Sequence, residues 1–326
     1  MAAGFEYFTS ADVGAPVLNG AAGRLIAVLD WALVTKGGWA KPFTGTNLAA
    51  YRSGTGNRFY LRVDDTQTTY SRLRAYRAMT AISTGTSQFP TNTQATNVNT
   101  WGVRKASSAG SDPRRYWGVR TNQFFILIIE DTTDSLEGYS DRTIISFGDI
   151  PSLAQADSHN SIMLGQYGVD AGPIPLESCF SAGIGATVNP SASNVLAAMS
   201  GSPNGTVVAP LTQACLPYIQ GASSTAATTV AVSGQLTFGP ILCTAANSAT
   251  STTNGMCLRA RLPNVHHIWG AIPNALTPGY ATYNEELVSI GSRDFIVLPQ
   301  YTSSAYPGSY ISPGLLLEIT DTDGAL

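Results

Sequence analysis

The first regular pattern along the chain is helical. In "LNGAAGRLIAVLDWALVTKGGW" the apolar residues Ala22, Leu25, Ile26, Leu29 and Leu33 recur at three- and four-residue intervals, which places them on one face of a helix. Asn19 stands at the N-cap position and Gly37 just past the C-terminus. Lys36 in the last turn suits the negative end of the helix dipole. Beyond this helix the period changes to two. In "NRFYLRVDD" Phe59, Leu61 and Val63 alternate with Arg58, Tyr60, Arg62 and Asp64, as in a strand with one buried face. "LAAYR", "TWGVRKA", "RYWGVRT" and "RTIISFGDI" are further short runs of strand-like composition, set between Gly, Ser, Asn and Asp clusters. "FFILIIE" (124–130) is apolar without a break, so it is expected at the centre of a sheet with both faces covered. "SRLRAYRAMTAI" fits either period, and its neighbours favour a strand.

The second half is patterned differently. Residues 151–180 form a low-charge connection containing Pro173 and Pro175, and from there to about 256 Ala, Ser, Thr, Gly and Asn dominate. "ATTVAVSGQLTFGPILC" still alternates like strands, while "NVLAAM" and "LTQACLPYIQ" suggest short helical turns. "MCLRARLP", "ELVSIGSRDFIVLP" and "GLLLEITD" return to strands. These patterns predict an α+β chain that is mainly β, with antiparallel sheets and one prominent N-terminal helix. An α+β domain is expected over 1–160 and a low-charge β-rich domain over 161–326.

Charge sharpens that division. Only 12% of the 326 residues are charged, about half the usual fraction, although the apolar fraction of 44% is ordinary. The first 150 residues carry 15 basic and 12 acidic side chains and the remainder 3 and 9, giving nets of +3 and −6. No basic residue lies between Arg142 and Arg259. Interfaces are depleted in Lys, Glu and Asp, so the middle segment suits burial against other subunits, and equally an uncharged exposed surface. Val232, Leu236 and Phe238 are its candidate interface residues. An overall charge of −3 argues against nucleic acid as partner. The N-terminus has neither a basic nor an apolar signal region, and no run of about 18 apolar residues spans a membrane.

The candidate chemistry is sparse. Asp64 and Asp65 are adjacent on a strand and point to opposite faces, so they do not converge on one ion; strand-end turn residues are the expected role. Glu130 and Asp131 have the same form. Asp131, Asp134 and Glu137 share a loop, but without the register of a calcium loop. His266 and His267 in "NVHHIWG" are the one histidine pair, with no carboxylate at metal-site spacing, and a packed position beside Trp269 is expected. Cys179, Cys215, Cys243 and Cys257 include no CxxC, which argues against zinc; free thiols are the favoured reading and their pairing stays open. "DPRRYWGVR" mixes Arg114, Arg115 and Arg120 with aromatics, and a strand with arginine on its wet face is the expected reading. No catalytic, metal or cofactor-binding residue is assigned.

Several segments taken together resemble a known family. "GGWAKPFTGTNLAAYR", "NRFYLRVDDT", "SRLRAYRAMTAISTGTSQFP", "RYWGVRTNQFFILII" and "IISFGDIPS", in that order, and "CLRARLPNVHHIW" through "GLLLEITDTDG" at the end, are similar to virion structural proteins of tailed bacteriophages. The resemblance covers most of the chain, and least of all 181–256. It implies a non-enzymatic particle component, assembled in the host cytoplasm and placed in the virion, most naturally at the tail or tail tip. Other virion proteins, further copies of the chain and a host surface receptor would be its partners. A capsid decoration or head fibre remains the alternative. A tail-associated polysaccharide-degrading enzyme is a third reading, which requires carboxylates to converge from Asp157, Asp170, Glu177, Glu285, Glu286, Asp294, Glu318, Asp321 and Asp323.

Overall fold

The computed structural model describes residues 5–89, 101–106, 108–130, 142–151, 158–166, 195–199, 211–215, 237–245, 257–269, 287–298 and 315–320. Through residue 166 these are β1 (Glu6–Thr9), α1 (Arg24–Leu29), β2 (Ala40–Gly45), β3 (Leu48–Arg52), β4 (Tyr60–Asp64), β5 (Tyr70–Ala81), β6 (Thr84–Phe89), β7 (Gly102–Arg104), β8 (Tyr116–Arg120), β9 (Phe124–Glu130), β10 (Arg142–Asp149) and β11 (Ser161–Gln166). A π-helical segment, Asp30–Thr35, continues α1. Then come β12 (Val195–Met199), β13 (Leu211–Cys215), β14 (Thr237–Ala245), β15 (Cys257–Trp269), β16 (Leu287–Ile290), β17 (Arg293–Leu298) and β18 (Leu315–Glu318). The protein is mainly β, and among the described residues every strand pair is antiparallel.

The pairing forms one continuous path. β2, β3, β4 and β5 are consecutive neighbours, and β5 pairs along its length with β7 and then β6. β1, β8, β9, β10 and β11 form a second run. β11 is the junction: it pairs with β10, meets β7 where Gln166 faces Gly102, and pairs with β12. From β12 the ladder passes through β13, β14, β15, β18, β17 and β16. As its unbroken apolar run requires, β9 lies between β8 and β10 with all seven residues buried. The ambiguous segment 71–82 lies largely in strand β5.

Both runs of strands share one core with the helix. Leu25, Val28, Leu29, Ala32 and Leu33 pack with inward residues of β3, β4, β5, β7, β9, β10 and β11. The helix is shorter than its periodicity predicts. Asn19 is not its N-cap: its Oδ1 accepts from the Ala21 amide at 3.0 Å, closing a local turn, and its Nδ2 donates to the Ser111 carbonyl at 3.2 Å. The N-cap is Gly23, left-handed at φ 79°, where an added Cβ would stand 2.6 Å from Asn47 Oδ1. At the other end the Lys36 amide bonds the Trp31 carbonyl five residues back, at 3.2 Å. This wider turn takes up one extra residue, so the left-handed exit falls on Gly38 at φ 67°.

"NVLAAM" and the start of "LTQACLPYIQ" are strands, β12 and β13, not helical turns. Leu, Ala and Met favour helix locally, but each segment has ladder partners, and tertiary pairing overrides a preference worth tenths of a kcal/mol per residue.

Candidate functional site

Asp64 and Asp65 face opposite ways, as their strand position dictates, and they have separate roles. Asp64 accepts from Thr66 Oγ1 at 2.7 Å and lies 3.7 Å from Arg62 Nη2. Asp65 is fully buried. Its Oδ2 accepts from the amides of Leu25 at 2.8 Å and Ile26 at 3.2 Å, the first-turn donors of α1. Its Oδ1 accepts from Ser71 Oγ at 2.6 Å and from the Lys105 ammonium, which is equally buried and also donates to the Ala21 carbonyl at 2.7 Å. The backbone joins in: the Gly23 amide donates to the Asp65 carbonyl at 3.0 Å. Asp65 therefore caps a helix that begins forty residues earlier, which is why no local cap is needed. Burial pushes its carboxyl above the ordinary value and the Lys105 amine below, each opposed by the charge of the other. Closed off from solvent, this pair positions the helix and cannot meet a reactant.

The neighbouring polar groups are engaged in the same manner. Tyr51 donates to Asp30 Oδ1 at 2.9 Å, and Lys41 bonds Asp30 Oδ2 at 2.6 Å. Burial, with Asp30 beside it, drives the Tyr51 hydroxyl far above its usual range, so it stays protonated. Asp149 accepts from the Asn57 amide at 2.5 Å and from Ser161, and burial raises its carboxyl. Glu130 bonds Arg115 Nε at 2.6 Å. The wet-face expectation for "DPRRYWGVR" holds at Arg115, whose side chain is 40% exposed, and is overturned at Arg114 and Arg120. β8 is buried throughout, with Tyr116 in the shared core, and Arg114 and Arg120 are each 3% exposed. Arg120 bonds Glu6 and donates to the Lys36 carbonyl at 2.7 Å.

In the second half one polar cluster is described, and it was invisible to local spacing. Three adjacent strands, β15, β18 and β17, bring together His266, Glu318 and Arg293. His266 Nε2 lies 2.8 Å from Glu318 Oε2; Arg293 donates to Glu318 Oε1 at 2.6 Å and to Oε2. The imidazole packs edge-on to Phe295 at 5.6 Å. Burial alone would raise the Glu318 carboxyl, but the His266 and Arg293 hydrogen bonds and charges hold it down at about 2. Glu318 thus forms an ion-pair lock between three strands. Asp294, the other described acid of the carbohydrate-site set, accepts from Ser289 at 2.6 Å.

Phe238 lies in β14 with its backbone opposite Ile268 of β15. Val232 and Leu236 fall outside the described residues, as do Asp131, Asp134, Glu137, Asp157, Asp170, Glu177, Glu285, Glu286, Asp321 and Asp323. Among the described residues no group of three or more His, Cys, Asp or Glu side chains stands ready for a metal, and no helix is long and apolar enough to cross a membrane. Compared with known proteins, the chain matches no family model and no curated sequence.

Proposed function

We propose that the chain is a non-enzymatic structural component of a tailed phage particle, placed at the tail or tail tip and present as several copies in a symmetric assembly. A capsid decoration or head fibre is the alternative placement. The segment resemblance supplies the class. The observation that carries the non-catalytic reading is the use made of Asp65, Glu130, Asp149 and Glu318: each is held by a cation, a hydroxyl or a backbone amide inside a packed sheet. Hydrolysis of a glycosidic bond needs two carboxyls about 5 to 9.5 Å apart across a groove that admits the sugar. Carboxylates committed to capping and cross-strand pairing are poor candidates for that work.

The test is to purify particles, identify the chain in them by mass spectrometry and locate it by electron microscopy. A fixed stoichiometry and density at the tail are expected; absence from purified particles overturns the proposal. Lys at Val232, Leu236 and Phe238 together is expected to block incorporation. Normal incorporation of that triple variant would refute the interface assignment alone.

A further inference from the structure

Among the described residues, Asp65 and Lys105 are the two charged side chains with no solvent exposure. No outside reactant reaches them, but each is a reactant for the other. Lys105 Nζ donates to Asp65 Oδ1, which is one bond away from the electrophilic carbon Cγ. Both stems are fixed. Asp65 follows the end of β4, and its amide donates to the Asn47 carbonyl at 2.9 Å. Lys105 follows β7, and its amide donates to the Thr69 carbonyl at 2.9 Å. Well-oriented intramolecular partners reach effective concentrations of about 10⁵ to 10⁸ M.

The surrounding donors suit acyl transfer. The Leu25 and Ile26 amides donate to Oδ2 at 2.8 and 3.2 Å, where negative charge collects when a carboxyl carbon becomes tetrahedral. Ser71 Oγ donates at 2.6 Å to Oδ1, the oxygen that would leave. Nζ has a second acceptor in the Ala21 carbonyl at 2.7 Å. Burial raises the carboxyl and lowers the amine, favouring the neutral acid and neutral amine, which are the species that condense.

We propose that Lys105 Nζ and Asp65 Cγ join in an amide bond in the folded chain, releasing one water and closing a covalent ring through β5, β6 and β7. One Nζ proton first passes along the existing hydrogen bond to Oδ1. The Nζ lone pair then bonds to Cγ, and the Cγ–Oδ2 π pair moves onto Oδ2 between the two amides. As that pair returns, the Cγ–Oδ1 bond breaks and Oδ1 leaves as water with a second proton from Nζ. Nothing is oxidised or reduced, and no further reactant is required. In the product Oδ2 still accepts from Leu25 and Ile26, so α1 stays capped, and the remaining N–H is left for the Ala21 carbonyl. Two buried charges disappear, and with them their desolvation cost. The ion-paired chain is the precursor, so urea comparisons at Asp65 use freshly refolded protein. The bond goes beyond the function proposed above and does not depend on it.

The test is the intact mass of the full-length chain. Protein purified folded is expected to be lighter than its sequence by one water. Protein recovered unfolded from inclusion bodies in urea is expected at full mass, and to lose that water only after refolding, at a rate independent of concentration. Digestion should yield a branched peptide joining Asp65 to Lys105, with no tryptic cleavage at Lys105. Lys105→Met is expected to keep full mass with an unchanged circular dichroism spectrum. If that variant does not fold, Lys105→Arg is read instead, since a guanidinium is not acylated. Full mass in the folded wild type overturns the proposal and leaves an ion pair only. Equal water loss in chain kept in urea, or a lost water mapped to other residues, also overturns it. So does water loss at Asp65 in a Lys105 variant, which would mark a cyclic imide with the following backbone amide. None of these results bears on whether the chain is present in particles.

Discussion

Replacing Asp65 by Ala removes one carboxylate that four donors share: the Leu25 and Ile26 amides, Ser71 and Lys105. Loss of a helix cap costs about 1 kcal/mol, within a range of about 0.5 to 2. Stranding one member of a buried ion pair costs about 3 to 5 kcal/mol, and Lys105 has no solvent exposure through which to recover hydration. The two losses draw on the same atoms and do not add in full, so about 4 kcal/mol is expected. The second variant makes the reasoning testable. In Asp65→Ala/Lys105→Met the stranded ammonium is gone, leaving mainly the lost cap and the Ser71 hydrogen bond, and about 2 kcal/mol is expected. Urea titration followed by tryptophan fluorescence is the assay, since Trp31, Trp39, Trp101 and Trp117 all lie in the helix-bearing half. A loss below about 1 kcal/mol for Asp65→Ala would show that the carboxylate is not the cap described, given that caps alone reach this size. A double variant less stable than the single one would show that burial of Lys105 is not the dominant cost.

Two further outcomes follow from particular residues. Gly148 sits in β10 at φ 127°, and a Cβ there would stand 2.0 Å from the Gln123 carbonyl oxygen and 2.7 Å from the Phe124 Cα, both backbone; Gly148→Ala is expected to cost about 2 to 4 kcal/mol in the same titration. Glu318 has its folded-state value lowered from 4.5 to about 2, so its contribution is complete above 4.5 and is lost as pH falls toward 2. Arg293 is one-third exposed, so solvent screens part of the interaction and about 1 to 3 kcal/mol is expected. Thermal unfolding at pH values across that window checks it, and Glu318→Gln should flatten the acid-side decline.

What could be read from the sequence divides along physical lines. Alternation in "NRFYLRVDD" and the unbroken run in "FFILIIE" placed β4 and β9 correctly, because burial of one or both faces depends only on residue type at each position. The helix was found but its start was misplaced by several residues, since its cap comes from Asp65 and no local residue announces that. The His266–Glu318–Arg293 cluster was missed for the same reason: Glu318 is 52 residues from His266, and only the β15–β18 pairing brings them together. "NVLAAM" misled because its helical composition was weighed without the strands on either side of it. Arg120 of "DPRRYWGVR" was expected to be wet because its charge was weighed without β1, which pairs Glu6 with it and follows from no motif in the sequence.

The long-range polar links of the first half fix the helix and its flanks: Asp65 to the first turn of α1, Arg120 to the Lys36 carbonyl, and Trp39 Nε1 to the Thr121 carbonyl at 2.9 Å. Each joins residues at least 39 positions apart, so no local pattern announces it, and each is spent on holding elements together. Changing any one of them should therefore alter stability before anything else, and a variant at Asp65 that leaves the urea midpoint unmoved would show that the helix is held by its apolar face alone.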